Sequence, residues 1–255
     1  MTCLHILVDD LTGALDCAAA FGAGVLNAIA GGGSFLTFPA LVYAGVPPLA
    51  ANATSAAAVS PGYLGSTLGF KAELNNIPRQ VLQREVMIAA IGGLIGAGLL
   101  LITPAKLFSG LVPWLLLLAT ALFALGPLIA ARSAGQGHPN WRLPGLLAVA
   151  IYGGYFNGGL GILLMALYTL TGESRLNTVN ALKNLNSFVL SWLSVAAFAW
   201  AGAIVWDQAL WMMVLATAGG WSGARLAKRL PARWVRVLVI ATGLVMSAVF
   251  FSRTG

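Results

Sequence analysis

Apolar positions run along this chain in long blocks, and polar positions are confined to short intervals between them. Eight blocks stand out, over residues 13–44, 49–70, 86–103, 107–131, 144–170, 178–204, 208–227 and 234–251. Most have about the 20 residues a helix needs to cross the hydrocarbon core of a bilayer. The pattern predicts an all-α polytopic membrane protein. Two blocks are interrupted by glycine, the first at Gly31-Gly32-Gly33 and the fifth at Gly153-Gly154 and Gly158-Gly159.

The two halves echo one another. Phe21-Gly22-Ala23-Gly24-Val25-Leu26-Asn27 precedes one glycine cluster, and Tyr152-Gly153-Gly154-Tyr155-Phe156-Asn157 precedes the other. Each is followed by a short polar turn, Gly45-Val46-Pro47-Pro48 or Gly172-Glu173-Ser174-Arg175. Each turn leads into a segment with Asn and Thr near its start: Asn52 and Thr54, then Asn177, Thr178 and Asn180. Two further apolar segments complete each half. The pattern predicts two repeats of about four segments, over residues 21–131 and 143–255, joined by a linker at 132–142. Paired glycine-broken segments are a mark of transporter binding sites.

Composition narrows the class. Only 8% of the 255 residues are charged, against 59% hydrophobic, where a soluble domain carries about 25% charged residues. The net charge of +7 sits in short loops, not on a basic face, which excludes nucleic acid as a partner. Arg225, Lys228, Arg229 and Arg233 make the 225–233 loop the most basic. That loop, the linker with Arg132 and Arg142, and the loop with Lys71, Arg79 and Arg84 are all expected on the cytoplasmic side. A fifth segment crossing once would put the linker and the last loop on opposite sides. A segment that dips in and returns puts both inside. The expected topology is therefore six full spans and two re-entrant hairpins in inverted repeats, with both termini outside; the rival is eight plain spans in parallel repeats.

Candidate chemistry is sparse. Cys3, Cys17, His5 and His138 have no metal-ligand spacing, and no nucleophile–base pair or carboxylate pair falls in the membrane region. No metal, no cofactor and no enzymatic activity are expected. Gly31, Gly32 and Gly33 free the backbone, and a helix restarting at Ser34 would aim its N-terminal dipole at an anion. The alternative for such glycines is close helix packing. Lys183 lies in an otherwise apolar segment, where a cation is costly and commonly functional, although a lysine near a helix end can also snorkel. Asn180, Lys183, Asn184 and Ser187 fit one helical face. The matching helix of the first half offers Asn52, Thr54, Ser55 and Ser60 without a charge. Asn27 and Asn157 stand at equivalent positions before the glycine clusters, lining a cavity or tying helices together.

The run from Phe21 to Asn27 through Ala28-Ile29-Ala30-Gly31-Gly32-Gly33, with Pro39 and Ala53-Thr54-Ser55, resembles the sulfite exporter TauE/SafE family, as does Asn180-Ala181-Leu182-Lys183. The resemblance implies a permease of the cytoplasmic membrane, here the bacterial inner membrane, for sulfite, organosulfonates or related oxyanions. Residues 1–20 depart from it. Leu7-Val8-Asp9-Asp10-Leu11-Thr12-Gly13-Ala14 resembles the start of four-carbon acid sugar kinases. No kinase domain follows, so no kinase activity is inferred, and this stretch is expected outside the bilayer.

The expected function is transport of a small anion, as export by alternating access, with the lipid bilayer as the other partner. Asn27, Gly31, Gly32, Gly33, Ser34, Asn52, Thr54, Ser55, Asn157, Gly158, Gly159, Asn180, Lys183 and Asn184 are the candidate substrate-binding residues. With no obvious carboxylate inside the membrane, proton coupling is disfavoured. The alternative is a membrane scaffold that transports nothing.

Overall fold

The computed structural model describes residues 11–30, 32–133, 138–226 and 232–254. Among the described residues there is no strand. The helices are α1 (Leu11–Ala30), α2 (Ser34–Tyr43), α3 (Pro48–Gly69), the short α4 (Lys71–Asn75), α5 (Arg79–Ile102) and α6 (Ala105–Ser133). After a 3-10 turn at Pro139–Trp141 come α7 (Arg142–Tyr155), α8 (Leu160–Leu170), α9 (Leu176–Trp200), α10 (Trp206–Leu226) and α11 (Ala232–Thr254).

Proline sets several starts. Pro48 opens α3, Pro78 precedes α5, and Pro104 precedes α6, positions where a fixed φ helps and the missing N–H costs nothing. Pro78 moves one boundary. Its carbonyl accepts from the N–H groups of Val81 and Leu82, so α5 begins at Arg79 and takes in residues expected in a loop, Glu85 among them. The fifth block breaks at Phe156–Gly159, while Gly153 and Gly154 stay helical. The turns after α2 and α8 share one cap. Val46 and Glu173 donate back to Leu41 and Tyr168, and Gly45 and Gly172 donate to Val42 and Thr169, with both glycines in the left-handed region, a Schellman arrangement.

The bundle is small-residued inside and apolar outside. On α5 the buried stripe is Ala89, Gly92, Gly93, Gly96, Ala97 and Leu100. Its other side exposes Met87, Ile91, Leu94, Ile95, Leu99 and Ile102. Water would not tolerate that surface, and lipid requires it. The described stretches Arg79–Ile102 and Ala105–Leu122 are long and apolar enough to cross a membrane.

α7 and α8 form a hairpin. The N–H of His138 donates to the carbonyl of Leu170 at 3.3 Å, so the chain enters and leaves at one end. The arms have 14 and 11 residues, roughly 21 and 16 Å at 1.5 Å per residue, each short of the ~30 Å hydrocarbon core. α1 and α2 fold back at Gly32-Gly33, where Gly22 faces the Leu36 side chain and Gly33 meets Ala23 and Asn27.

The halves interlock. α1 packs on α10, and α7 packs on α5. α3 crosses α9 with Ser60 against Ser191, and Thr54 against Val205, so the two helices run antiparallel. α6 and α11 also run antiparallel, with Thr120 beside Gly243 and Trp114 on Phe251. The α5–α7 contact has no room for a side chain at Gly96, where a Cβ would collide with the carbonyl of Ile151. Gly96→Ala should therefore cost about 1–3 kcal/mol. It should lower the thermal midpoint in detergent, whereas Gly98→Ala, which meets nothing within 4 Å, should not. Equal midpoints would show that the two helices are not in contact at this level.

Candidate substrate site

The two helix breaks face each other in the middle of the bundle. A Cβ on Gly159 would lie 3.3 Å from the Phe35 ring, and one on Gly32 would lie 3.9 Å from Ile162. The helix restarts at Ser34 as expected. Gly31 lies outside the described residues. The glycines serve different purposes. Gly159 has φ +79°, a conformation that other residues resist. Gly33 is right-handed at φ −54° and is needed for closeness, since a Cβ there would sit 2.8 Å from the Ala23 carbonyl. Gly32 has ordinary contact distances, and nothing in the structure explains why it is glycine. Gly158 has its carbonyl taken by the Tyr152 hydroxyl at 2.8 Å.

The backbone donors at the tips are partly committed. Phe35 donates to Gly32, and Leu36 and Thr37 donate to Gly33. In the second half Leu160 donates to Asn157, and Ile162 and Leu163 donate to Gly159. The α3 candidates are committed too. Asn52 Nδ2 donates to the Tyr155 carbonyl at 3.0 Å, satisfying the end of α7. Thr54 Oγ1 accepts from the Val205 N–H at 3.0 Å. Ser55 and Thr37 share a hydrogen bond of 2.6 Å. These three residues hold α3 to its neighbours.

Other groups are buried and unpaired. Asn157 is 3% exposed and its Oδ1 has no partner, and the Oδ1 of Asn27 is likewise unpaired. Ser34, in the first turn of α2, is buried with no side-chain hydrogen bond among the described residues. Lys183 is 4% exposed, two turns into α9, and makes no ion pair or hydrogen bond with a described residue. It does not snorkel. Asn184 beside it is buried without a hydrogen bond to a described residue, Asn180 is half-buried, and Ser187 one turn on is fully buried with an unpaired Oγ. Asn180, Lys183, Asn184 and Ser187 thus form a polar stripe with one positive charge, in which the Ser187 Oγ is fully buried and unpaired. A buried polar group left unpaired is costly.

One charged group corrects the sequence reading. Glu85 was expected in a loop, and no carboxylate was expected inside the membrane part. It is 0% exposed. Its Oε1 accepts from Arg142 Nε at 2.7 Å. Its Oε2 accepts from the Tyr168 hydroxyl at 2.8 Å and Asn186 Nδ2 at 3.1 Å, and the Arg142 guanidinium lies 5.1 Å from the centre of the Tyr168 ring. One carboxylate ties α5 to α7, α8 and α9. A signal was present in the sequence: the buried stripe of α5, followed back one turn from Ala89, lands on Glu85.

Apolar outer faces, short broken helices meeting mid-bundle and a buried cation define a helical membrane permease. The chain belongs to the sulfite exporter TauE/SafE family, which it matches over residues 17–250. Similar proteins include a "probable membrane transporter protein" of Haemophilus influenzae, 29% identical over 94% of each chain. The "probable membrane transporter protein ORF9" of a Sinorhizobium species is 27% identical over 90% of this chain and 88% of its own. The "probable membrane transporter protein YfcA" of Escherichia coli K12 is 26% identical over 89% of this chain and 84% of its own. No solved structure matches the chain.

Proposed function

We propose that this permease carries a small oxyanion, of the sulfite or organosulfonate kind, across the bacterial inner membrane by alternating access between two inverted halves. The observation that carries the reading is Lys183, a buried cation with no counter-ion among the described residues, which shares its face with Asn180, Asn184 and the unpaired Ser187 hydroxyl. An oxyanion supplies both the missing charge and the missing acceptors. Asn27 and Asn157 stand before the two breaks, and a rotated amide would offer the same guest its N–H pair.

The antiparallel packing of α3 on α9 and of α6 on α11 supports inverted repeats, since each helix then meets its own counterpart upside down. The short hairpin arms support re-entrant segments. Arg142 opens α7, Arg175 precedes α9, and Glu85 brings the start of α5, with Arg79, to the same end. This is the end expected in the cytoplasm. Under this reading, residues 21–131 and 143–255 are the repeats and 132–142 the cytoplasmic linker.

The test is uptake by purified protein in proteoliposomes across sulfite, organosulfonates and small carboxylates. Saturable, protein-dependent flux is expected for the sulfur oxyanions and not for the carboxylates. Carboxylate flux alone would overturn the substrate class. No flux for any anion, from protein that remains monodisperse, would favour the scaffold.

A further inference from the structure

Glu85 is fully engaged, and its bonds close the second hairpin at the end where the chain enters and leaves it. Both arms are held through one carboxylate, α7 by its first residue, Arg142, and α8 by Tyr168. Asn186 adds α9 and donates to both Glu85 and the Tyr168 hydroxyl. Arg142 retains 22% side-chain exposure while Glu85 has none, so the cluster runs from the water at the linker end inward to Asn186. Ser187, next along α9 from Asn186, is buried with an unpaired Oγ.

The described positions that the repeat relates to Glu85, Tyr168 and Asn186 carry no polar group. Gly92-Gly93 with Gly96 on α5 matches Gly219-Gly220 with Gly223 on α10, an offset of 219 − 92 = 127 residues. The same offset relates Gly172 to Gly45 and Tyr168 to Leu41, and it sets Met212 against Glu85. Asn180 matches Asn52, which sets Ala58 against Asn186. Met212, Leu41 and Ala58 are all buried within a single hydrophobic cluster. Where the linker end has a carboxylate, a phenol and an amide, the positions that the repeat relates to them hold three apolar side chains.

We propose that Glu85, Arg142, Tyr168 and Asn186 form the gate at the linker end of the transport path, and that the opposite gate is the apolar seal of Met212, Leu41 and Ala58. This rests on the reading of the chain as an alternating-access carrier. The two gates open by different physics. Parting the polar clasp lets water hydrate groups that burial had stripped of it, and the returned hydration offsets the lost pairing. Parting the apolar seal exposes hydrocarbon to water with no such return. Weakening the clasp therefore opens the path from one side only.

The experiment reads side-specific access in membrane vesicles of either orientation. Ser187→Cys is introduced with Cys3→Ser and Cys17→Ser, and a charged, membrane-impermeant thiol reagent is added to one face or the other. Arg142→Gln should speed labelling from the linker face by about tenfold or more and leave the opposite face unchanged. Tyr168→Phe, which removes one hydroxyl, should give a smaller rise on the same face. Unchanged labelling in both variants would overturn the gate, as would an equal rise from both faces, the mark of a loosened fold. If Arg142→Gln does not accumulate, Tyr168→Phe decides alone by the same outcomes. One-sided labelling, together with no sulfite flux by the protein that keeps Ser187, would sink the substrate reading and keep the gate. Sulfite flux with unchanged labelling would sink the gate alone.

Discussion

Lys183→Met should abolish oxyanion uptake while leaving the protein as stable as before or more so. Methionine keeps nearly the length and volume of lysine without the charge. An intramembrane lysine costs up to about 3 kcal/mol, and no described residue offsets that cost with an ion pair or hydrogen bond. Removing it should raise the thermal midpoint in detergent, whereas loss of a structural contact would lower it. Uptake should fall to the level of protein-free liposomes, because an oxyanion entering a site without its cation forfeits its hydration and gains little in return. The combination is diagnostic: greater stability with lost flux assigns the charge to a guest. Uptake equal to wild type would remove Lys183 from the site, and a fall in both stability and flux would make it a structural residue.

The second large effect is expected at the tip of the second hairpin. Gly159→Val forces a β-branched side chain into a left-handed turn at φ +79°, at about 1–2 kcal/mol. Its Cβ would also come within 2.9 Å of the Ala119 methyl and 3.3 Å of the Phe35 ring, adding about 1–3 kcal/mol of overpacking. The sum, roughly 2–5 kcal/mol, should appear as a large drop in thermal midpoint, with uptake lost because the two tips no longer meet. Gly110→Ala, where nothing lies within 4 Å, is the matched control. A Gly159→Val protein that melts with wild type would mean that this turn is not the one the chain adopts in the membrane.

Much of this architecture was legible in the chain. Block lengths gave the helices, and the break at Gly31–Gly33 gave the restart at Ser34. What stayed hidden depends on which face a residue turns inward. Glu85 sits among Arg79, Arg84 and Glu73, and a run of charges reads as a solvated loop until Pro78 is seen to start the helix before it. Gly153-Gly154 looks as strong a break as Gly158-Gly159, but Gly154 lies against Gly93, so it serves packing and stays helical. Thr54 and Ser55 read as site residues because polar groups in an apolar block are rare. Their partners, Val205 and Thr37, are distant in sequence, and no local pattern reveals that both hydroxyls are already engaged.

The interlocking of the halves sets an order of assembly during synthesis. The second hairpin emerges after α5, so the surface that receives α7 already exists when α7 appears. The first hairpin has no such advantage, because the main neighbour of α1 is α10, which ends at Leu226. At roughly 5–20 residues per second, the close-packing glycine face of α1 waits on the order of ten seconds or longer before α10 arrives. Throughout that wait its arms, and the cleft kept open for them, must be shielded by lipid or by the insertion machinery. The N-terminal half, although made first, is thus the last part of the bundle to close.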